Sequence, residues 1–214
     1  MTAPWVYDRT GFPYLVVPAA GVAVGLLPVL KAQAELYLGD PAGPGDDWYD
    51  EVLAVGPRAG WRTVGAAPVR LILTGISAEE AVRLAGWVGP GYRLPDVREW
   101  RAADAALGGL SSADLDAAAA GPACHPAVAG VLARLREAGR ATVAELALLD
   151  GGALEWVTRA DPPPGALGRP AAVLAPGLIL NPQAFDPVVL IRPGRHPAYG
   201  VRLVRPLAPG EARP

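Results

Sequence analysis

The sequence predicts an α+β fold of short twisted strands, a few capped helices and much irregular surface. Three observations carry that expectation. Residues 68–107 read as strand, capped helix, extended step and second capped helix; two β-branched runs precede them; several short apolar runs follow residue 172. Hydrophobic residues make up 51% of the 214 positions and charged residues 19%, a balance that belongs to a folded globule. A chain of this length can bury a substantial core as one domain, expected here over 1–214.

The elements follow in chain order. Tyr14-Leu15-Val16-Val17 and Val22-Ala23-Val24-Gly25 read as strands joined by Pro18-Ala19-Ala20-Gly21. They lie inside an uncharged stretch, Thr10 to Leu30, nearly long enough to span a bilayer. Pro13, Pro18 and Pro28 with Gly21 and Gly25 interrupt it, and Asp8 and Arg9 cancel the basic start a signal peptide needs. A buried hairpin is the expectation, with no membrane segment.

Pro28 can open a helix running to about Leu38, where Gly39 ends it, because its missing N–H is not needed in a first turn. Asp40 to Asp47 reads as a Pro/Gly-rich loop, after which Trp48-Tyr49 and Trp61 return aromatic side chains, either to pack under loops or to wall a ligand site. Val69, Leu71 and Leu73 alternate with Arg70 and Ile72 as a strand that Gly75 breaks.

Ser77 stands three residues before Glu80, the spacing of a capping box, and Ala81, Leu84, Ala85 and Val88 follow at helical intervals up to Gly89-Pro90-Gly91. Arg93-Leu94-Pro95 then leads to Asp96, a second cap with Glu99 three residues on, and a helix to about Leu107. Arg93 is expected to be largely buried against a carboxylate or carbonyls, with Asp96, Glu99 and Trp100 structural.

Residues 108–126 read as an Ala- and Ser-rich insertion containing Cys124-His125. Pro126 opens a helix with Val128, Val131, Leu132 and Leu135 on one face, up to Gly139. Thr142 and Glu145 repeat the capping-box spacing. Val173-Leu174, Leu178-Ile179-Leu180, Val188 to Ile191 and Val201 to Val204 supply late strands.

Four ordered pieces of this chain resemble the formylglycine-generating-enzyme, or sulfatase-modifying-factor, family. They are Pro28-Val29 with Lys31-Ala32-Gln33 and Leu36-Tyr37-Leu38, the run from Pro68 through Arg93-Leu94-Pro95 to Glu99-Trp100, Leu149 to Val157, and Gly200 to Arg205. The resemblance implies a C-type-lectin-like core, a bacterial setting, and Trp156 and Glu155 in structural positions. It also implies a candidate calcium site, where Glu155 matches a family ligand, Gly152 replaces the family's Asn, and Asp150 could compensate.

The family's oxidase chemistry needs paired late cysteines, since thiolates are soft ligands and strong nucleophiles. Cys124 is the only cysteine, so it reads as a small apolar residue, and neither an internal disulfide nor formylglycine formation is expected. His125 and His196 are the only histidines, and an iron site like that of other relatives would need both to converge with an acid, which their spacing does not support. No Ser-His-Asp order, phosphate loop or dinucleotide motif occurs. No catalytic residue is assigned and no cofactor beyond the candidate calcium.

A net charge of −2 gives no electrostatic case for nucleic acid. A non-catalytic, cytoplasmic protein- or ligand-binding module, with another protein as the leading partner, is the expectation, as an accessory of a bacterial signalling or conflict system by resemblance. The alternative is an enzyme of different, oxidoreductase-like chemistry in the same cleft, using Arg195, His196 and an acid such as Asp186. A hypervariable display protein is disfavoured by the single Asn and Tyr in the last forty residues. The loop from Arg192 to Tyr199 is expected to form the contact surface for a protein or an anionic ligand, through Arg192, Arg195, His196 and Tyr199 with Phe185 and one of Trp48 or Trp61.

Overall fold

The computed structural model describes residues 4–55, 71–137, 154–158, 172–176, 195 and 199–211, and over them the chain is α+β. Its strands are β1 (Trp5–Tyr7), β2 (Pro13–Val17), β3 (Val22–Gly25), β4 (Leu154–Thr158), β5 (Ala172–Pro176), β6 (Tyr199–Val201) and β7 (Val204–Pro206). Its helices are α1 (Lys31–Leu38), α2 (Asp46–Ala54), α3 (Ala78–Val88), α4 (Val97–Gly108), α5 (Ser112–Ala119) and α6 (Pro126–Glu137).

The first sheet runs β1-β2-β3-β7, every pairing antiparallel. The expected hairpin is present, with Leu15 opposite Val24. A short 3₁₀ turn at Pro18–Ala20 joins its strands, closed by Gly21 at a φ of 67°. Both faces of β2 are buried, as an unbroken apolar run requires. The uncharged stretch is therefore this hairpin, and among the described residues no helix is long and apolar enough to cross a membrane.

Pro28 does not begin α1. Val29 N–H donates to Val201 O at 2.8 Å, Leu73 N–H to Val29 O at 2.9 Å and Lys31 N–H to Leu71 O at 2.9 Å. Those bonds hold residues 29–30 extended, and the helix starts only at Lys31. Of the expected strand before Gly75, Leu71 to Leu73 contribute an isolated bridge between Ile72 and Leu30, while Val69 and Arg70 lie outside the described residues.

Two of the expected capping boxes form. Glu80 N–H donates to Ser77 Oγ at 3.3 Å and Ser77 N–H to Glu80 Oε2 at 2.7 Å. Glu99 N–H donates to Asp96 Oδ1 at 2.8 Å and Asp96 N–H to Glu99 Oε2 at 2.9 Å. The stripe Ala81, Leu84, Ala85 and Val88 is buried as its spacing requires.

Two helices stand where the sequence suggested irregular chain. α2 begins with Asp46 and Asp47, acids that suit the positive end of a helix dipole. α5 carries a third capping box, Ser111 with Asp114, inside the Ala-rich segment. α6 follows the expected start at Pro126, while Gly139 and the Thr142–Glu145 spacing lie outside the described residues.

Arg93 corrects the expectation of burial, because its side chain is 44% exposed. The backbone around it is extended and pairs with β7, Arg93 N–H to Val204 O and Val204 N–H to Arg93 O, both 2.9 Å. Side chains alternate faces there, so Leu94 points inward and Arg93 outward. The expected pairing does form: Nη1 and Nη2 meet the two oxygens of Glu99 at 2.7 and 2.6 Å.

The second sheet is β5-β4-β6, with β4 antiparallel to β5 and parallel to β6. The late run from Val201 to Val204 is not one strand. Val201 ends β6 in this sheet and Val204 begins β7 in the other, so Arg202 and Leu203 are the step between sheets. The apolar runs at 178–180 and 188–191 lie outside the described residues.

Candidate functional site

The charged groups buried between the two sheets are fully engaged with one another. Arg202 and Glu155 each have side chains 1% exposed and are joined by two bonds, Nη2 to Oε1 at 3.0 Å and Nε to Oε2 at 3.2 Å. Arg202 Nη1 donates to the carbonyls of Gly25 at 2.8 Å and Leu26 at 2.7 Å, at the end of β3. Trp100 Nε1 from α4 donates to Glu155 Oε2 at 2.7 Å. A buried ion pair is costly to desolvate and holds only when its remaining hydrogen-bonding capacity is met, which these contacts do.

Burial raises the carboxyl pKa of Asp104, on the same helix as Trp100; the nearby Arg202 opposes that rise and Glu155 adds to it. Trp156, the neighbour of Glu155, donates its indole N–H to Ile76 O at 2.8 Å and is wholly buried. Trp100 and Trp156 are both buried, with their indole N–H groups donating inside the core. The carboxylate of Glu155, named as a calcium ligand, already faces a guanidinium and an indole; Asp150 lies outside the described residues. Among the described residues no group of three or more His, Cys, Asp or Glu side chains could hold a metal ion.

Of the expected contact loop, Arg195 and Tyr199 are described, while Phe185, Arg192 and His196 lie outside the described residues. Tyr199 belongs to no contact loop. It begins β6, is 9% exposed, and meets Trp156 edge to face at 5.1 Å between ring centroids. Tyr199 pairs in register with Leu154 of β4, and because its ring is buried its substitution removes core packing. Burial also pushes its phenol pKa up. Arg195 bridges two acids from different helices, Glu51 of α2 and Glu80 of α3, the latter at 2.5 Å.

Arg195 leads into a continuous polar and aromatic face. Glu80 uses one oxygen to cap α3 and the other to meet Arg195, with Arg83 at 4.0 Å. Tyr37 at the end of α1 lies beside them: burial raises its phenol pKa, Arg83 lowers it and Glu80 raises it. The Tyr37 ring is 4.9 Å from Trp87 of α3 and 5.9 Å from Trp48 of α2. The Arg9 guanidinium covers Trp87 at 4.4 Å from the ring centroid and reaches Asp40 at 3.5 Å. The Ala42 N–H is the main cause holding the Asp40 carboxyl below its ordinary pKa.

Trp48 is buried as part of this cluster, the packing role weighed for it, while Trp61 lies outside the described residues. Sequence reading missed Arg9, Tyr37, Glu80 as an Arg partner, and Trp87. One signal was present: Glu80, Arg83 and Trp87 stand at i, i+3 and i+7 beside the apolar stripe, the spacing of one helix flank.

Cys124 and His125 lie apart from this face. Cys124 is half-buried, and burial raises its thiol pKa, which disfavours the nucleophilic thiolate. His125 Nδ1 accepts from Ala127 N–H at 3.2 Å at the start of α6, and its ring stacks on Phe12 at 5.2 Å. Both have structural surroundings.

No family model matches the chain, and no curated protein matches it.

Proposed function

We propose that this chain is a non-catalytic protein-binding module on a C-type-lectin-like scaffold of the sulfatase-modifying-factor type. It docks another protein through the face where α1, α2 and α3 meet Arg195. The observation that carries the reading is the Arg9 guanidinium over the partly buried Trp87 ring, with exposed Arg83 one turn earlier on α3, backed by the buried Tyr37 and the Arg195–Glu80 pair. Arg and Trp are among the residue types that dominate binding energy at protein interfaces, and here α3 carries Trp87 and Arg83 while the β1–β2 turn carries Arg9. The four sequence pieces that resemble the family support the scaffold, and the α+β architecture is compatible with it. By the same resemblance, the module serves as an accessory component of a bacterial signalling or conflict system.

The reading also rests on chemistry. A single cysteine cannot supply the paired thiols of the oxidases, and Cys124 is half-buried as a thiol. The buried acid Glu155 and base Arg202 neutralise each other.

The test uses Arg9→Glu with Arg83→Glu, since both side chains are half or more exposed. Surface ion pairs contribute about 0–1 kcal/mol each, so the melting temperature should stay within a few degrees. Capture of the native-host partner by the purified chain should fall at least about tenfold, which corresponds to about 1.4 kcal/mol. Undiminished capture by the double variant would place the interface elsewhere. Oxidation of a cysteine peptide to formylglycine by the wild-type chain would overturn the non-catalytic reading.

A further inference from the structure

We draw no further inference here: the strongest candidate, the cation-π seat between the β1–β2 turn and α3 where the Arg9 guanidinium covers the Trp87 ring, is already filled from within the chain, and nothing in the structure shows what would take its place.

Discussion

Arg93 and Arg202 both hold a glutamate through two hydrogen bonds, yet removing them should have different consequences. Arg93 is 44% exposed, so water solvates Glu99 once the guanidinium is gone. Arg93→Ala should cost about 0.5–1 kcal/mol. Arg202→Ala would leave Glu155 charged and sealed from water, with the Gly25 and Leu26 carbonyls unpaired. That should cost about 3–5 kcal/mol. Urea denaturation of both variants measures the difference, and equal losses would refute the burial argument. Arg93 was legible as a paired residue because its partner stands six positions away. Its exposure was not, because the alternation that turns it outward depends on pairing with β7.

At the scale of elements, local backbone requirements explain which segments could be read. Capping boxes use atoms three residues apart, so those at Ser77 and Asp96 announce their helices without help from the fold. Ser111 with Asp114 carried the same kind of signal, with the less common Asp at the third position, and an alanine-rich composition obscured it. Turns divide in a testable way. Gly21 has a φ of +67° with nothing near the place of a Cβ, whereas Gly11, at +83°, would direct a Cβ to 2.5 Å from Ala123 O and 2.9 Å from His125 N. Gly21→Ala should therefore cost only left-handed strain, about 1 kcal/mol. Gly11→Ala adds a clash with backbone that also bonds it, since His125 N–H donates to Gly11 O at 2.8 Å. Its cost should be larger, about 2–4 kcal/mol in all. Thermal melts of the two variants decide the matter, and a Gly11 variant no less stable than the Gly21 variant would contradict it.

For the whole molecule, the last described residues are tied back to the first sheet by charge. Glu211 accepts from Arg205 of β7 at 2.8 and 2.7 Å and from Ala208 N–H at 2.7 Å. The Arg205 hydrogen bonds, with the Ala208 N–H assisting, lower the Glu211 carboxyl from 4.5 to about 2. The folded-state pKa lies below the unfolded one, so the tie is complete above pH 4.5 and is lost as pH falls toward 2. Wild type should melt above Glu211→Gln at neutral pH, and the gap should close near pH 2; a gap unchanged over that range would show that protonation of Glu211 does not govern it. By itself the sequence determined the α+β class, the N-terminal hairpin, α3, α4 and the start of α6. Each rests on interactions within a few residues, where spacing and chemistry suffice. Only the tertiary structure decided that Val201 and Val204 enter different sheets, that Tyr199 turns into the core, and that Arg195 meets Glu51, 144 positions away. A side chain's own neighbours do not specify which distant element will cover it, and that covering decides whether a charge or ring becomes core or surface.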